Sequence, residues 1–128
     1  MKEKLEALKL FNEKYGIQYA DTIVHKLPYT KAKLRFKLME EENEEYLDAV
    51  IAEDPIEVAD ALGDMLYILC GTILAHGMQD IIDDVFNEIQ RSNLSKLGPD
   101  GKPIYREDGK LLKGPNYSPP NLKQFITE

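Results

Sequence analysis

EEENEEYLDAVIAEDPIEVADALGDMLYILCGTILAHG, residues 40–77, holds two helical patterns separated at Asp54-Pro55. Pro55 suits the first position of a helix and Asp54 its cap. The helix that follows is apolar nearly all round, through Val58, Leu62, Met65, Leu66, Ile68, Leu69, Ile73 and Leu74. Such a helix is normally buried, yet it carries Glu57, Asp60 and Asp64. At i, i+3 and i+7 these fall within about 60° of one another. The preceding helix carries Glu41, Glu42 and Glu45, with Asp48 continuing the stripe, and the short connection makes the two helices antiparallel neighbours.

Working outward, Leu38 to Gln90 contains 15 Asp and Glu and no Lys or Arg. The net charge is −7, so the flanking segments, holding all 16 basic residues and 8 acids, are basic. Carboxylates gathered on facing helices without local counter-ions must be neutral, paired or bound to a cation. For an all-oxygen ligand set that cation is a hard divalent metal such as Mg²⁺, with Mn²⁺ an alternative. A Glu-rich run can equally be a solvated face, and Glu40 and Glu44 fit that description. Aspartates inside an apolar helix do not. Di-iron or di-manganese sites call for Glu-x-x-His pairs, which His25 and His76 do not supply, and the calcium-binding EF-hand loop is absent.

The bulk properties fit one domain of 128 residues, with 43% hydrophobic and 30% charged composition. An acidic chain is poorly suited to a nucleic-acid polymer, and the charges in the apolar stretch 56–77 argue against a membrane span. The first 15 residues lack a secretory pattern. Cys70 is the single cysteine, which suits a reducing cytoplasm. A small anionic nucleotide held through a metal remains compatible with the acidic charge.

Four helices are predicted: about Glu3–Tyr15, ended by Gly16; Thr30, as cap, to about Ala52; Pro55 to His76, stopped by Gly77; and Asp80 to about Asn93. The helical part spans about 3–93 and a Gly/Pro-rich basic tail about 94–128. Residues 98–120 hold nine Gly and Pro, excluding another long helix. Turn signals at Pro99-Asp100-Gly101 and Glu107-Asp108-Gly109 leave room for a hairpin between Ile104-Tyr105 and Leu111-Leu112. Such a ribbon needs something to pack on.

Glu41-Glu42-Asn43-Glu44-Glu45 and Glu57-Val58-Ala59-Asp60 match Glu-Glu-x-x-Glu and Glu-x-x-Asp. With EVADALGDMLYILCGTILAHG and the tail RSNLSKLGPDGKPIYREDGKLLKGPNY, the chain resembles the all-α NTP pyrophosphohydrolases over about Leu34 to Tyr117. The likeness is to a MazG-like, phosphoribosyl-ATP pyrophosphohydrolase-like branch. The resemblance implies a four-helix MazG-like bundle, a homodimer or homotetramer, and Mg²⁺-dependent cleavage of a nucleoside triphosphate or related nucleotide to a monophosphate and pyrophosphate. It implies Glu41, Glu42 and Glu45 as ligands and catalytic groups. The second motif can be anchored two ways. Leu62-Gly63-Asp64 makes Asp64 its aspartate and puts Ala61 where relatives carry glutamate; Glu57-Asp60 keeps both acids.

Asp60 and Asp64 are both expected at the site, with Glu57 a further metal ligand. Candidate phosphate, ribose or base contacts are Arg91, Asn93, Lys96, Lys113 and Asn116, with Lys102 and Arg106 more distant candidates. Cys70 is expected in the core, His76 at a helix C-terminus and Tyr67 in helix packing; His25 is given no role. A metal- or nucleotide-binding module without turnover is the alternative reading of the same residues.

Overall fold

The computed structural model describes residues 1–126. It contains four helices and, among the described residues, no strand, so the fold is all-α. Two compact units divide the chain, Met1–Asp80 and Ile81–Glu128.

The first unit is built from α1 (Lys2–Tyr15), α2 (Tyr29–Ile51) and α3 (Pro55–Ala75). Helix α3 packs along α2 and also against α1. Leu5 and Leu8 from α1, Ala49 from α2, and Ala61, Cys70, Ile73 and Leu74 from α3 are buried. Tyr67 meets the edge of the Phe11 ring with centroids 5.5 Å apart, so it works in helix packing.

Asp54 caps α3 as expected. Its carboxylate accepts from the Ile56 and Glu57 N–H groups at 3.0 and 3.2 Å, and Pro55 occupies the first turn. The start of α2 differs from the expectation that Thr30 caps it. The helix begins at Tyr29, with Pro28 at the N-cap and no side-chain cap. The Pro28 carbonyl accepts from both Lys31 and Ala32 N–H, and the fixed φ of proline sets the entry. Thr30 lies inside the first turn.

Helices α2 and α3 end in the same backbone motif with different residues. After α3, the N–H of Gly77 donates to Leu74 O and that of Met78 to Ile73 O; after α2, Glu53 donates to Val50 O and Asp54 to Ala49 O. This pair of bonds requires a left-handed residue at the exit. Gly77 has φ 66° and Glu53 has φ 55°. Gly77 is also required by space, because a Cβ there would collide with the Thr22 carbonyl. That close approach ties the 16–28 connection to the end of α3, where Ala20 N–H donates to Leu74 O and Val24 N–H to His76 O.

In the second unit, α4 (Ile82–Leu94) starts two residues later than expected, with Asp83 and Asp84 in its first turn. The tail folds back on this helix. Ser118 N–H donates to Ser95 Oγ at 2.9 Å, and Asn121 N–H donates to Glu88 Oε2 at 2.6 Å. The hairpin is reduced to one antiparallel bridge between Tyr105 and Leu111, flanked by Arg106 N–H to Lys110 O and Leu112 N–H to Ile104 O. The bonds that reach α4 come from residues further along the tail, at Ser118, Pro119 and Asn121, and Tyr105 is 62% exposed in the ribbon itself.

Left-handed backbone costs a side-chain-bearing residue about 1–2 kcal/mol. Glu53→Gly should therefore stabilise the protein by about 1 kcal/mol in urea unfolding, whereas Gly77→Ala should lose at least about 2 kcal/mol. A destabilised Glu53→Gly would contradict this account of the α2–α3 turn.

Candidate functional site

Helix α2 presents Glu42 and Glu45 one turn apart, and α3 brings Asp64 to them. One carboxylate oxygen from each lies within 4.8 Å of the others. Glu42 and Asp64 are half-buried and Glu45 is exposed. Beside this trio a 420 Å³ groove is lined by Glu45, Asp48, Glu57 and Asp60, with the buried Ala49 and Ala61 at its base. Small residues at these two positions leave the groove open. None of the six acids forms a salt bridge among the described residues; the neighbouring Lys37 pairs with Glu40 instead.

Of the sequence-predicted ligands, Glu42, Glu45 and Asp64 form the close cluster. Glu57 and Asp60 line the adjoining groove, one and two turns into α3. Glu41 is exposed and lies outside both groups; it is one residue from Glu42 and so about 100° round the helix. Ala61 is 2% exposed and offers no ligand atom. Asp48, noted in the sequence only as continuing the stripe, belongs to the groove lining.

The electrostatics are those of a site lacking its counter-charge. Glu42 Oε2 is buried without a hydrogen-bond partner. Burial, the hydrogen-bonded Glu45 carboxylate, and the charges of Glu45, Asp64 and Asp60 push the Glu42 carboxyl up to about 7. An orphaned buried oxygen within an all-oxygen donor set from two rigid helices fits a hard divalent cation. Glu42, Glu45 and Asp64 would hold it.

The candidate substrate contacts belong to the second unit. Arg91 donates from Nη2 to Glu88 Oε2 and to Pro119 O at 3.1 and 3.2 Å, and from Nε to Glu88 Oε1. Those bonds, with the Asn121 N–H, hold the Glu88 carboxyl down at about 2. Arg91 therefore joins the tail to α4. Lys113 lies over the Tyr117 ring, 4.8 Å from its centroid. Asn93 and Asn116 are exposed and Lys96 half-buried. Arg106 pairs with Asp108 across the hairpin turn, and Lys102 is exposed.

The family model of phosphoribosyl-ATP pyrophosphohydrolase matches residues 17–93, which hold both acidic motifs. The chain belongs to this family. It thus falls within the MazG-like all-α NTP pyrophosphohydrolase superfamily, whose chemistry is nucleotide pyrophosphohydrolysis. A comparison with curated proteins found no match. The phosphoribosyl-ATP pyrophosphohydrolase match takes in α2, α3 and nearly all of α4, and leaves α1 and the tail outside it.

A raised carboxyl pKa means that ionisation opposes folding of the metal-free protein. Its contribution is complete below 4.5, the ordinary value, and is lost as pH rises through about 7. In EDTA the Tm should therefore fall over that interval, and Glu42→Gln, which stays neutral, should flatten the profile and melt higher at alkaline pH. An unchanged slope in the variant would contradict the assignment.

Proposed function

We propose that the protein is a Mg²⁺-dependent nucleotide pyrophosphohydrolase that cleaves a nucleoside triphosphate or related nucleotide to its monophosphate and pyrophosphate. The observation that carries this reading is the convergence of Glu42, Glu45 and Asp64 from two packed helices in a chain of this family. Mg²⁺, or Mn²⁺ in its place, would neutralise the phosphate oxygens and polarise phosphorus. Glu42 and Asp64, half-buried and on different helices, are the fixed ligands of this reading. Glu45, exposed beside them at the edge of the groove, completes the ligand set with one carboxylate oxygen and with the other takes the proton from the attacking water. Water oxygen then bonds to phosphorus of the α–β anhydride as its bridging P–O bond breaks, and pyrophosphate departs.

Glu57 and Asp60 give the groove further ligand capacity, which suits a second cation. Glu41, exposed on the next strip of α2, is an outer contributor to the same acidic field. The reading assigns phosphate and nucleoside contacts to Arg91, Asn93, Lys96, Lys113 and Asn116. Buried Ala61, standing at a possible ligand position, favours one competing reading: a module that binds metal and nucleotide without turnover.

The active form is proposed to be a homodimer or homotetramer. Only 28% of the most apolar stretch of α3 is buried, although that helix is long and apolar enough to cross a membrane by length and composition alone. Ile56 is 78% and Leu62 51% exposed, apolar area that a second subunit would cover. Glu57, Asp60 and Asp64 on the same helix argue for a protein partner in the cytoplasm over lipid. No nucleic-acid polymer or membrane enters this reading. Sedimentation should return a multiple of the 14.6 kDa chain.

Pyrophosphate release from a panel of ribo- and deoxyribonucleoside triphosphates and phosphoribosyl-ATP should require Mg²⁺ or Mn²⁺ and vanish in EDTA. Asp64→Asn and Glu45→Gln should each lower kcat by about 10²-fold or more while retaining the helical signal. Full turnover in both would remove the proposed site; nucleotide-dependent stabilisation of the wild type without pyrophosphate release would favour the binding module.

A further inference from the structure

Helix α2 carries its charge in the order that helix electrostatics disfavours. Lys31, Lys33, Arg35 and Lys37 occupy its beginning, Glu40 to Asp48 its second half, and neither acid in the first turn nor base in the last offsets them. The positive end of a helix dipole favours acids. The acidic half is accounted for by the cluster with Asp64. The basic half is not.

Two of the four cations have local partners: Lys33 sits over the Tyr29 ring at 5.9 Å and Lys37 pairs with Glu40 at 3.7 Å. Lys31 and Arg35, one turn apart on one face, line a separate 280 Å³ cavity. Arg35 reaches α3, where Nη2 donates to Ile68 O at 2.9 Å and Nε to Thr72 Oγ1 at 3.1 Å. Its remaining N–H donors have no acceptor, and it meets no carboxylate, among the described residues. Gly71 permits this approach, since a Cβ there would lie 2.6 Å from Arg35 Nη2.

The other polar groups of the cavity are the Asn12 and Gln18 amides, and no acid lines it. Asn12 is only 5% exposed, and its side-chain amide makes no hydrogen bond among the described residues. Ile17 and Leu34 supply apolar wall and are themselves exposed at the rim, so the cavity opens to solvent. At a volume below the usual range of about 300–1,000 Å³ for drug-sized ligands, the cavity suits a compact occupant.

We propose that this cavity is a second binding site, for a small phosphate-bearing anion of about the size of pyrophosphate, distinct from the carboxylate cluster. Two cations and two amides lining one cavity without an acid match a multiply charged oxyanion; a monocarboxylate would leave one cation unneutralised. Glu42 follows Arg35 by seven residues and shares its helix face, about 10 Å further along the axis. The α2–α3 seam thus passes from an anion site to a cation site. This second site does not depend on the hydrolase reading.

The test is calorimetric titration of the whole protein in EDTA with inorganic pyrophosphate, inorganic phosphate, a nucleoside monophosphate and acetate. Pyrophosphate should bind, acetate should not, and Lys31→Gln should weaken pyrophosphate binding by about tenfold or more. Lys31 is exposed, so this variant should fold even if Arg35→Gln does not. Asp64→Asn should leave the affinity within about twofold. Preference for the nucleoside monophosphate over both inorganic anions would identify the source as the phosphate group of a nucleotide. Absence of millimolar pyrophosphate binding, equal binding of acetate, or loss in Asp64→Asn with none in Lys31→Gln would overturn the proposal.

Discussion

Mutual repulsion among carboxylates across the α2–α3 seam is the constraint on which the rest of this structure depends. Hydrophobic packing brings the two helices together, and that packing drives Glu42, Glu45 and Asp64 to within 4.8 Å of one another. The same packing buries Glu42 Oε2 without a partner. The chain holds this arrangement against its own electrostatics, and protonation of Glu42 is its metal-free remedy. Such pre-organisation favours cation binding, because the cost of assembling the donors is already met when the ion arrives.

The seam is shaped by small side chains as much as by charged ones. Ala49 and Ala61 sit at the base of the acidic groove, and Gly71 lets the Arg35 guanidinium lie against the backbone of α3. Larger residues at these places would fill the spaces that distinguish the seam from an ordinary helix pair. Apolar surface left on α3 is the area that the proposed second subunit would cover.

Features governed by local chemistry were legible in the sequence. Asp54-Pro55 opens α3, Gly77 closes its exit, Cys70 is 1% exposed in the core and His76 stands at the C-cap. The acidic stripe was visible because aspartates stand out in an apolar helix; the burial expected of that helix was not met within the chain, where Asp60 is exposed and Asp64 half-buried. What escaped depends on distant partners. Thr30 has a capping side chain, but the Pro28 carbonyl takes the bonds that define the helix start. Arg35 looks like any surface arginine until α3 supplies Ile68 and Thr72 opposite it. The bonds that Arg91 makes to Glu88 and to the returning tail at Pro119 likewise depend on partners that its own place in the sequence does not signal. The charge order along α2 was present in the sequence, and its conflict with the helix dipole was the available signal for Arg35.

The most direct measurement is anomalous diffraction from crystals grown with Mn²⁺, which can substitute for Mg²⁺ at oxygen-rich sites. The account predicts an anomalous peak coordinated by Glu42, Glu45 and Asp64, absent from Asp64→Asn crystals prepared identically. Full Mn²⁺ occupancy elsewhere with none at this cluster, or no bound ion at saturating concentration, would contradict it.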